Sequence, residues 1–343
     1  MERIYNFQIK LDWNLVALLS VVDRFDAYWN SVVRTESSSL RELKAIATVR
    51  SVGASTRIEG SNLKDDEVDY IIRTLDIQKL EERDSQEVAG YFNVLELINS
   101  TYADIPLTEN GVKDLHNRLL KYSSKDDWHR GDYKQHSNRV EATMSDGSKQ
   151  IIFETTSPGY ATTDAVKSLV QWYNTDDNVH PLVKTAMFAY EFLSIHPFQD
   201  GNGRLSRLLS TLLLLKAGYG WIEYISFEHE IENRKNEYYS VLRSCQSQRP
   251  GEDVTSWVLF FLKCLQRIQM LLKQKIDSTG EESRISSKEK SLLTIIREQP
   301  GIQSGEIAER LNMPNPTVKR ILTGLVERGL IKREGVGRGT VYF

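Results

Sequence analysis

The residues best suited to chemistry in this chain lie between His196 and Arg207, in the stretch HPFQDGNGRLSR. Gly201 and Gly203 tolerate positive φ, so consecutive backbone N–H groups can turn inward around an anion. The stretch joins two apolar-periodic segments, and the second should be a helix that contributes its dipole and its unpaired N–H groups. The pattern therefore predicts an anion site at the start of a helix.

The side chains of this loop indicate a polyphosphate and a hard cation. Arg204 and Arg207 are three residues apart on one helix face, and each can fork onto phosphate oxygens. Asp200 enters the loop where Mg²⁺ would need a carboxylate, and Asn202 can donate its amide to a further oxygen. His196 has an ordinary pKa near neutrality, which makes it the natural general base for a hydroxyl that attacks phosphorus. A Gly-rich connection with one buried histidine and solvated arginines would explain each residue singly, but not all of them together.

The same stretch resembles the HPFx(D/E)GNGRxxR motif of Fic-domain proteins, and every specified position matches. Enzymes of that family mostly transfer AMP from ATP to a protein hydroxyl, with pyrophosphate leaving. The resemblance implies that His196 deprotonates the target Ser, Thr or Tyr, and that Asp200 holds Mg²⁺. It also implies that ATP and its phosphates bind along the residues that follow: Gly201, Asn202, Gly203, Arg204, Leu205, Ser206 and Arg207.

An upstream helix, expected at about residues 39 to 60, ends in STRIEG and places Ser55 and Glu59 one turn apart. Gly60 is a suitable residue to end it. The segment resembles the (S/T)xxxE(G/N) inhibitory helix of Fic proteins, in which the glutamate pairs with the second motif arginine, here Arg207, and displaces the γ-phosphate. A solvated charge at a helix end is the alternative reading of Glu59.

Two short extended runs, Arg139 to Met144 and Lys149 to Glu154, are joined by Ser-Asp-Gly-Ser, which is a hairpin signal. The hairpin resembles the flap of Fic proteins, which docks the target segment by strand addition. The residues expected to contact the target are Ile151, Ile152 and Phe153. The alternative is that these three residues pin the hairpin to the core.

Tyr238 and Tyr239 fall on a predicted helix, and Fic proteins often have such a pair with one ring lining the adenosine pocket. An aromatic pair in the core is the alternative. Where some relatives place an asparagine for the adenine edge, this chain has Cys245 and Gln246, so the identity of the base stays open.

Composition bounds the class of protein. The 343 residues suffice for two or three domains, and 40% hydrophobic with 27% charged residues is typical of a globular protein. The apolar runs are too short to span a membrane, and no signal peptide is read at the N-terminus. The two cysteines lack metal-ligand spacing. We expect a cytoplasmic protein without a membrane partner.

The chain from Ile285 onward forms a separate unit. It carries 10 Lys and Arg against 6 Asp and Glu, although the net charge of the whole chain is -3. Its helix, turn and strand signals resemble a winged helix-turn-helix, with Thr317, Lys319 and Arg320 on the recognition helix. DNA, a protein partner and a homodimer all stay open for this unit.

The sequence therefore predicts a mostly α protein: a Fic-type helical bundle with a small β-hairpin flap, plus the winged helix. The expected divisions are an N-terminal helical region (1–110), a catalytic core (111–275), a linker (276–286) and the winged helix (287–343). The expected function is a protein adenylyltransferase acting on itself and other proteins and inhibited by Glu59. The alternatives are a DNA-binding regulator that senses nucleotide, and a Fic enzyme that uses another donor or removes AMP.

Overall fold

The computed structural model describes residues 2–33, 38–74, 80, 82–143, 149–283 and 286–343. The chain divides into two compact units, Met1–Leu272 and Lys273–Phe343. In the described residues the structure is mostly helical, with two short hairpins before the motif and a small sheet in the second unit. The predicted fold class is confirmed.

Eleven α-helices begin in the first unit, counted over its described residues. They are α1 (Trp13–Val32), α2 (Ser38–Ile58), α3 (Asp65–Thr74), α4 (Arg83–Thr101), α5 (Glu109–Leu119), α6 (Tyr160–Thr175), α7 (Pro181–Ile195), α8 (Asn202–Lys216), α9 (Phe227–Asn233), α10 (Lys235–Gln246) and α11 (Thr255–Ser283). Within the described ranges, none of the chain's helices combines the length and apolarity needed to cross a bilayer.

Local sequence explains where several of these helices start. Asp12 and Thr108 each accept a backbone N–H bond from the first turn of the helix that follows, as an N-cap residue should. Pro181 is the first residue of α7, where its missing N–H costs nothing. These local signals explain where the three helices begin.

Helices α7 and α8 form the centre of the unit. In α7 every residue except Pro181 and Lys184 is buried, and in α8 only Gly203 and Lys216 are not. A helix that is buried on all sides must lie inside the molecule, surrounded by other helices. The loop between α7 and α8 carries the motif, so its position is fixed at both ends.

The buried face of α2 is unusual because it consists largely of small and hydroxyl-bearing residues. Ser51, Ala54, Ser55 and Thr56 are all buried. Small side chains allow close approach of neighbouring elements, and α2 packs against α9, α4 and the 3₁₀ turn Gly220–Tyr224. The helix is therefore held by close packing rather than by an apolar stripe.

Two short antiparallel hairpins belong to the first unit: β1 (Glu2–Ile4) with β2 (Phe7–Ile9), and β3 (Arg139–Thr143) with β4 (Lys149–Glu154). The second is the predicted flap hairpin. Its turn, predicted at Ser145 to Ser148, lies outside the described residues. The first hairpin was not predicted, because three-residue strands carry too little periodicity to be recognised.

The second unit contains α12 (Ser287–Glu298), α13 (Ser304–Arg310) and α14 (Asn315–Glu327). Its strands are β5 (Ile302–Gln303), β6 (Arg333–Glu334) and β7 (Val341–Tyr342), in the order β5-β7-β6. Three helices on a small antiparallel sheet make a winged helix. Ser286 and Glu289 form a full capping box at the start of α12.

One boundary differs from the prediction. Residues 276–283, predicted as linker, continue α11 as far as Ser283. The stretch contains no proline, and the single Gly280 costs a helix only about 1 kcal/mol, so a polar composition does not end it. The proposed fourfold division of the chain otherwise stays a prediction.

Candidate active site

His196 occupies the first position after α7, with φ 52° and ψ 60°. A left-handed conformation is uncommon for a residue other than glycine, and Pro197 restricts its neighbour further. Such strain costs on the order of 1–3 kcal/mol and tends to occur at functional sites. The turn directs the imidazole into a cavity that its neighbours also line.

The protonation state of His196 suits a base. Its Nδ1 lies 3.3 Å from the carbonyl oxygen of Leu193. Because a carbonyl only accepts, the shared proton belongs to Nδ1, and Nε2 keeps its lone pair. Burial lowers the pKa of His196 to about 4, the positive charge of Lys134 acts in the same direction, and the Leu193 carbonyl, Glu59 and Asp200 oppose it. The ring is neutral at pH 7.

Asn202 closes the loop rather than reaching for a ligand. Its Oδ1 accepts from the Phe198 N–H at 2.9 Å, and its Nδ2 donates to the Phe198 carbonyl at 2.8 Å. The side-chain amide predicted to bind phosphate is thus committed to the backbone of its own loop. What Asn202 offers an anion is its backbone N–H at the start of α8.

His116 supports the same loop from α5. Its ring stacks on Phe198 with 3.7 Å between centroids, and Nε2 lies 3.0 Å from the Asp200 carbonyl oxygen. Its Nδ1 accepts from the Gly131 N–H at 2.9 Å, so the neutral ring must donate through Nε2. Burial lowers the pKa of His116 to about 4, which keeps this tautomer at neutral pH.

Arg204 is almost completely buried, with 2% of its side chain exposed. Its Nη1 is 3.4 Å from Glu87 Oε2, and its Nη2 is 3.4 Å from Asp200 Oδ1. Its Nε and Nη1 are buried without a hydrogen-bond partner among the described residues. A buried guanidinium with unused donors is costly, and an anion in the cavity would satisfy it.

Arg207, one turn further along α8, is fully engaged. Its Nη2 donates to Glu59 Oε1 at 2.7 Å and to the Ser55 carbonyl at 3.0 Å, and its Nε donates to Ser55 Oγ at 2.8 Å. Both predicted inhibitory residues therefore contact the second motif arginine. The pair joins residues 148 positions apart in the chain.

The Glu59 carboxylate also lies against the N-terminus of α8. A Cβ on Gly203 would come within 2.2 Å of Glu59 Oε1, so only glycine permits this approach. The helix dipole and the free N–H groups of the first turn stabilise a negative charge here. Glu59 thus occupies the place in which the sequence predicts a phosphate.

These groups line one cavity, which is open to solvent. Its far end is lined by α10 and α7 through the following residues: Tyr238, Tyr239, Leu242, Arg243, Gln246 and Leu193. The two tyrosine rings meet edge to face at 5.1 Å. This end therefore combines aromatic and aliphatic side chains with the polar groups of Arg243 and Gln246.

Of the adjacent pair Cys245 and Gln246, only Gln246 lines the cavity. The Gln246 Nε2 donates to Ser194 Oγ at 3.1 Å. Cys245 is buried against Ser256, with its sulfur 3.3 Å from the hydroxyl. Gln246 is thus the residue of the pair that can contact a base.

Two residues of the predicted phosphate-binding stretch do not reach the cavity. Leu205 is fully buried in the core, and the Ser206 hydroxyl lies 3.5 Å from the Ala189 carbonyl on α7. On a helix, the two positions between Arg204 and Arg207 face away from them. The side chains of Leu205 and Ser206 therefore do not line the cavity, and a site role for these two residues stays a prediction.

Asp200 fits a magnesium ligand. Burial would raise its pKa, but Arg204, the Gly201 N–H and Arg83 together hold the pKa of Asp200 below its ordinary value. The carboxylate is therefore ionised, with 40% of its side chain exposed. Mg²⁺ is commonly held by one or two carboxylates plus phosphate oxygens, so Asp200 with a bound polyphosphate would suffice.

Phe153 provides one contact between the hairpin and the body. The Arg249 guanidinium carbon lies 6.0 Å from the centroid of the Phe153 ring. This contact agrees with the alternative that Phe153 pins the hairpin. The side chains of Ile151 and Ile152 lie outside the described residues, and their proposed docking role stays a prediction.

Sequence reasoning missed several residues that complete the site, namely Arg83, Glu87, His116, Lys134, Asn138, Gln199 and Arg243. Most come from α4, α5 and the segment before the hairpin, far from the motif in sequence. Only Arg83 and Glu87 carried a local signal, an opposite-charge pair four residues apart. Gln199 lies within the motif itself, and the remaining four become neighbours of the motif only through packing.

Comparisons with known proteins agree with this geometry. Residues 106–214 match the Fic/DOC family, and residues 285–335 match the MarR family. The protein adenylyltransferase Fic of Drosophila virilis is 24% identical over 256 residues, which cover 73% of this chain and 47% of the fly protein. That of Drosophila yakuba is 24% identical over 243 residues, 69% of this chain and 44% of the fly protein. The chain spans about half the length of the curated relatives it matches.

Solved structures share the fold. A Fic family protein from Desulfovibrio desulfuricans G20 superposes with a TM-score of 0.63 at 23% identity, over 97% of this chain and 96% of that one. A Fic domain containing signaling protein from Bacteroides thetaiotaomicron VPI-5482 gives a TM-score of 0.61 at 23% identity, over 77% and 97%. The chain is a Fic/DOC family protein with a MarR-like C-terminal region. Within that family it is a distant homologue of the protein adenylyltransferase Fic.

Proposed function

We propose that this protein is a protein adenylyltransferase that transfers AMP from ATP to a hydroxyl of a protein, including its own. The observation that carries the proposal is the meeting of a neutral His196, the ionised Asp200 and the buried Arg204 around one cavity at the start of α8. An anion cradle alone would serve a nucleotide sensor. A base with a free Nε2 at its edge supports transfer.

The chemistry is a displacement at the α-phosphorus. The target hydroxyl oxygen forms a bond to phosphorus, the bond to the bridging oxygen of the β-phosphate breaks, and pyrophosphate leaves. The hydroxyl proton passes to His196 Nε2, while Nδ1 stays bonded to the Leu193 carbonyl. The negative charge of bound phosphates raises the pKa of His196 from its low value toward neutrality, which strengthens the base.

The cradle would hold the polyphosphate in line for this attack. Arg204 and the N–H groups of Asn202 and Gly203 donate to phosphate oxygens, and Asp200 would hold Mg²⁺. Bound Mg²⁺ would neutralise charge that develops on the leaving pyrophosphate. The apolar end formed by Tyr239, Leu242 and Leu193 would receive the adenosine.

The Glu59–Arg207 ion pair supports autoinhibition as part of this proposal. A γ-phosphate needs the same donors that Glu59 already uses, so ATP binds with its phosphates displaced from the in-line position. The β3–β4 hairpin would dock the target. Each strand of this two-stranded sheet has an edge unpaired within the described residues, to which an extended segment can add.

Labelled ATP tests the transfer. The Glu59→Gly protein is incubated with ATP labelled at the α-phosphate or at the γ-phosphate, and protein-bound label is measured. Label from the α-position alone, absent in the Glu59→Gly, His196→Ala double variant, is expected. Label from the γ-position would indicate kinase chemistry, and ATP binding without any label would favour a sensor.

A second function concerns the winged helix. Lys319 and Arg320 are exposed on α14, and the region matches the MarR family. These features support binding of duplex DNA through the recognition helix. Binding should weaken steeply with added salt through counterion release. A salt-independent interaction would indicate a protein partner instead.

A further inference from the structure

Lys134 is a buried cation in the segment before the hairpin, with 2% of its surface exposed. Its Nζ donates to Asn138 Oδ1 at 2.9 Å, to Thr155 Oγ1 at 2.8 Å and to the Ile195 carbonyl at 3.0 Å. Three acceptors match the three hydrogens of an ammonium group, whereas a neutral amine has only two. The geometry therefore indicates the charged form.

These contacts join two parts of the site. Asn138 directly precedes β3 and Thr155 directly follows β4, so Lys134 holds both ends of the hairpin together. Ile195 is the last residue of α7, immediately before His196. The Lys134 N–H also donates to the Pro197 carbonyl at 2.8 Å, on the other side of the histidine. Lys134 therefore donates to the backbone carbonyls on both sides of His196.

Asn138 extends the connection. Its Nδ2 donates to the Phe198 carbonyl at 2.9 Å, and the Thr155 hydroxyl donates to its backbone carbonyl or its side chain. The hairpin base and the loop from Ile195 to Phe198 are therefore one hydrogen-bonded unit. Movement of the hairpin relative to His196 would break several of these bonds at once.

Hydrogen bonds that hold the hairpin to the loop do not by themselves require a charged side chain at position 134. Burial lowers the pKa of Lys134 to about 8, and burial is the only cause of that shift; no described carboxylate offsets it. The carbonyl end of α7 carries the negative pole of the helix dipole and partly stabilises the ammonium. The same charge acts on His196 and favours its neutral form, together with burial and against Glu59 and Asp200.

We infer that Lys134 is a positioning residue, whose ammonium group fixes the docking hairpin at a set distance from His196. The inference rests on the proposed function for its catalytic consequence. Its structural consequence, attachment of the hairpin to the loop, does not depend on any activity.

Three variants separate the effect of the Lys134 hydrogen bonds from the effect of its positive charge. Lys134→Met keeps the length of the side chain but removes its donors and its charge. Thr155→Val removes one tie and leaves the charge. Lys134→Arg keeps the charge and donors. Lys125→Met, at an exposed lysine outside the site, is the matched control.

The first measurement is hydrogen–deuterium exchange in the full chain at pH 7. Lys134→Met and Thr155→Val should speed exchange in the strands 139–143 and 149–154, with no change in residues 287–343. Lys125→Met should match the parent. Unchanged exchange in the hairpin of Lys134→Met would overturn the inference, whether or not the protein transfers AMP.

The second measurement is AMP transfer in the Glu59→Gly background. Lys134→Met should lower kcat about 10- to 100-fold, the cost of a misplaced base, while KM for ATP stays within about threefold. The acid limb of the kcat–pH profile of Lys134→Met should move to higher pH, because loss of a neighbouring positive charge raises the pKa of His196. Thr155→Val should not move the limb, and Lys134→Arg should restore part of kcat. If the acid limb does not move in Lys134→Met and Lys134→Arg does not recover kcat, the charge has no effect on His196. Lys134 would then be only a structural contact between the hairpin and the loop.

Discussion

The two arginines of the motif differ in their surroundings. The guanidinium of Arg207 donates to Glu59 and Ser55. That of Arg204 keeps two buried N–H groups without a hydrogen-bond partner in the described structure. Both arginines are on one face of α8, and both are at most 3% exposed. The difference lies in what faces them. Arg207 is hydrogen-bonded by the protein's own carboxylate, whereas Arg204 lies 3.4 Å from Glu87 and Asp200 and still keeps donors that a ligand could use.

This comparison indicates how one cradle can bind a nucleotide and still be restrained. The Glu59 carboxylate binds Arg207 beside the N-terminus of α8, where the helix dipole stabilises a negative charge. Bound phosphates would give the unused donors of Arg204 a partner in addition to Glu87 and Asp200. Under the proposed function, the restraint would therefore fall on one phosphate position rather than on nucleotide binding as a whole.

The largest effect is expected from removing the base, which neither arginine can replace. His196→Ala should reduce AMP transfer about 10²- to 10⁴-fold, the usual contribution of a general base, because the hydroxyl proton loses its acceptor. Affinity for Mg-ATP should stay within about threefold, since the cradle is untouched. Single-turnover transfer and calorimetric titration measure the two. Wild-type turnover in this variant would refute the mechanism.

The next largest effect is expected from removing Glu59, the carboxylate that binds Arg207. Glu59→Gly should raise the transfer rate about 10- to 100-fold, the equivalent of roughly 1.5–3 kcal/mol for a charge-assisted hydrogen bond. The fold should survive, because Glu59 lies just beyond the last residue of α2 and a glycine is tolerated at a helix end. Autolabelling beside wild type, at equal circular dichroism, measures the gain. No increase would make Glu59 a solvated charge without an inhibitory role.

A smaller effect, on nucleotide affinity, is expected from replacing Arg204. Arg204→Met should weaken ATP and ADP alike by about tenfold or more, because it removes donors that both nucleotides use. Arg83→Met is the matched control, since Arg83 contacts the same Asp200 but is 60% exposed and lies outside the cavity lining. Equal losses in the two variants would mean that Arg204 acts only through Asp200.

Much of this site follows from sequence because its residues are close together in one motif. The anion cradle needs only glycines before a helix, and the arginine spacing places both side chains on one face. The Glu59–Arg207 pair joins distant segments, and it was expected only through the resemblance to Fic proteins. Its geometry now stands on the 2.7 Å contact.

Other features depend on packing that no local pattern encodes. A motif does not state which face of a helix each position takes, so Leu205 and Ser206 were assigned to the site although they point into the core. Asn202 could donate to a phosphate or to its own loop, and only the fold decides between them. Lys134 reads as a surface lysine until the hairpin and α7 enclose it.

The claim that Glu59 stands in the place of one phosphate is tested most directly by comparing ATP with ADP. Both nucleotides are titrated by calorimetry, with Mg²⁺, into His196→Ala protein and into the Glu59→Gly, His196→Ala double variant, neither of which turns ATP over. Loss of the carboxylate should tighten ATP about tenfold or more and leave ADP within about threefold, because only ATP carries the competing phosphate. Equal gains for both nucleotides, or no gain for ATP, would contradict the account.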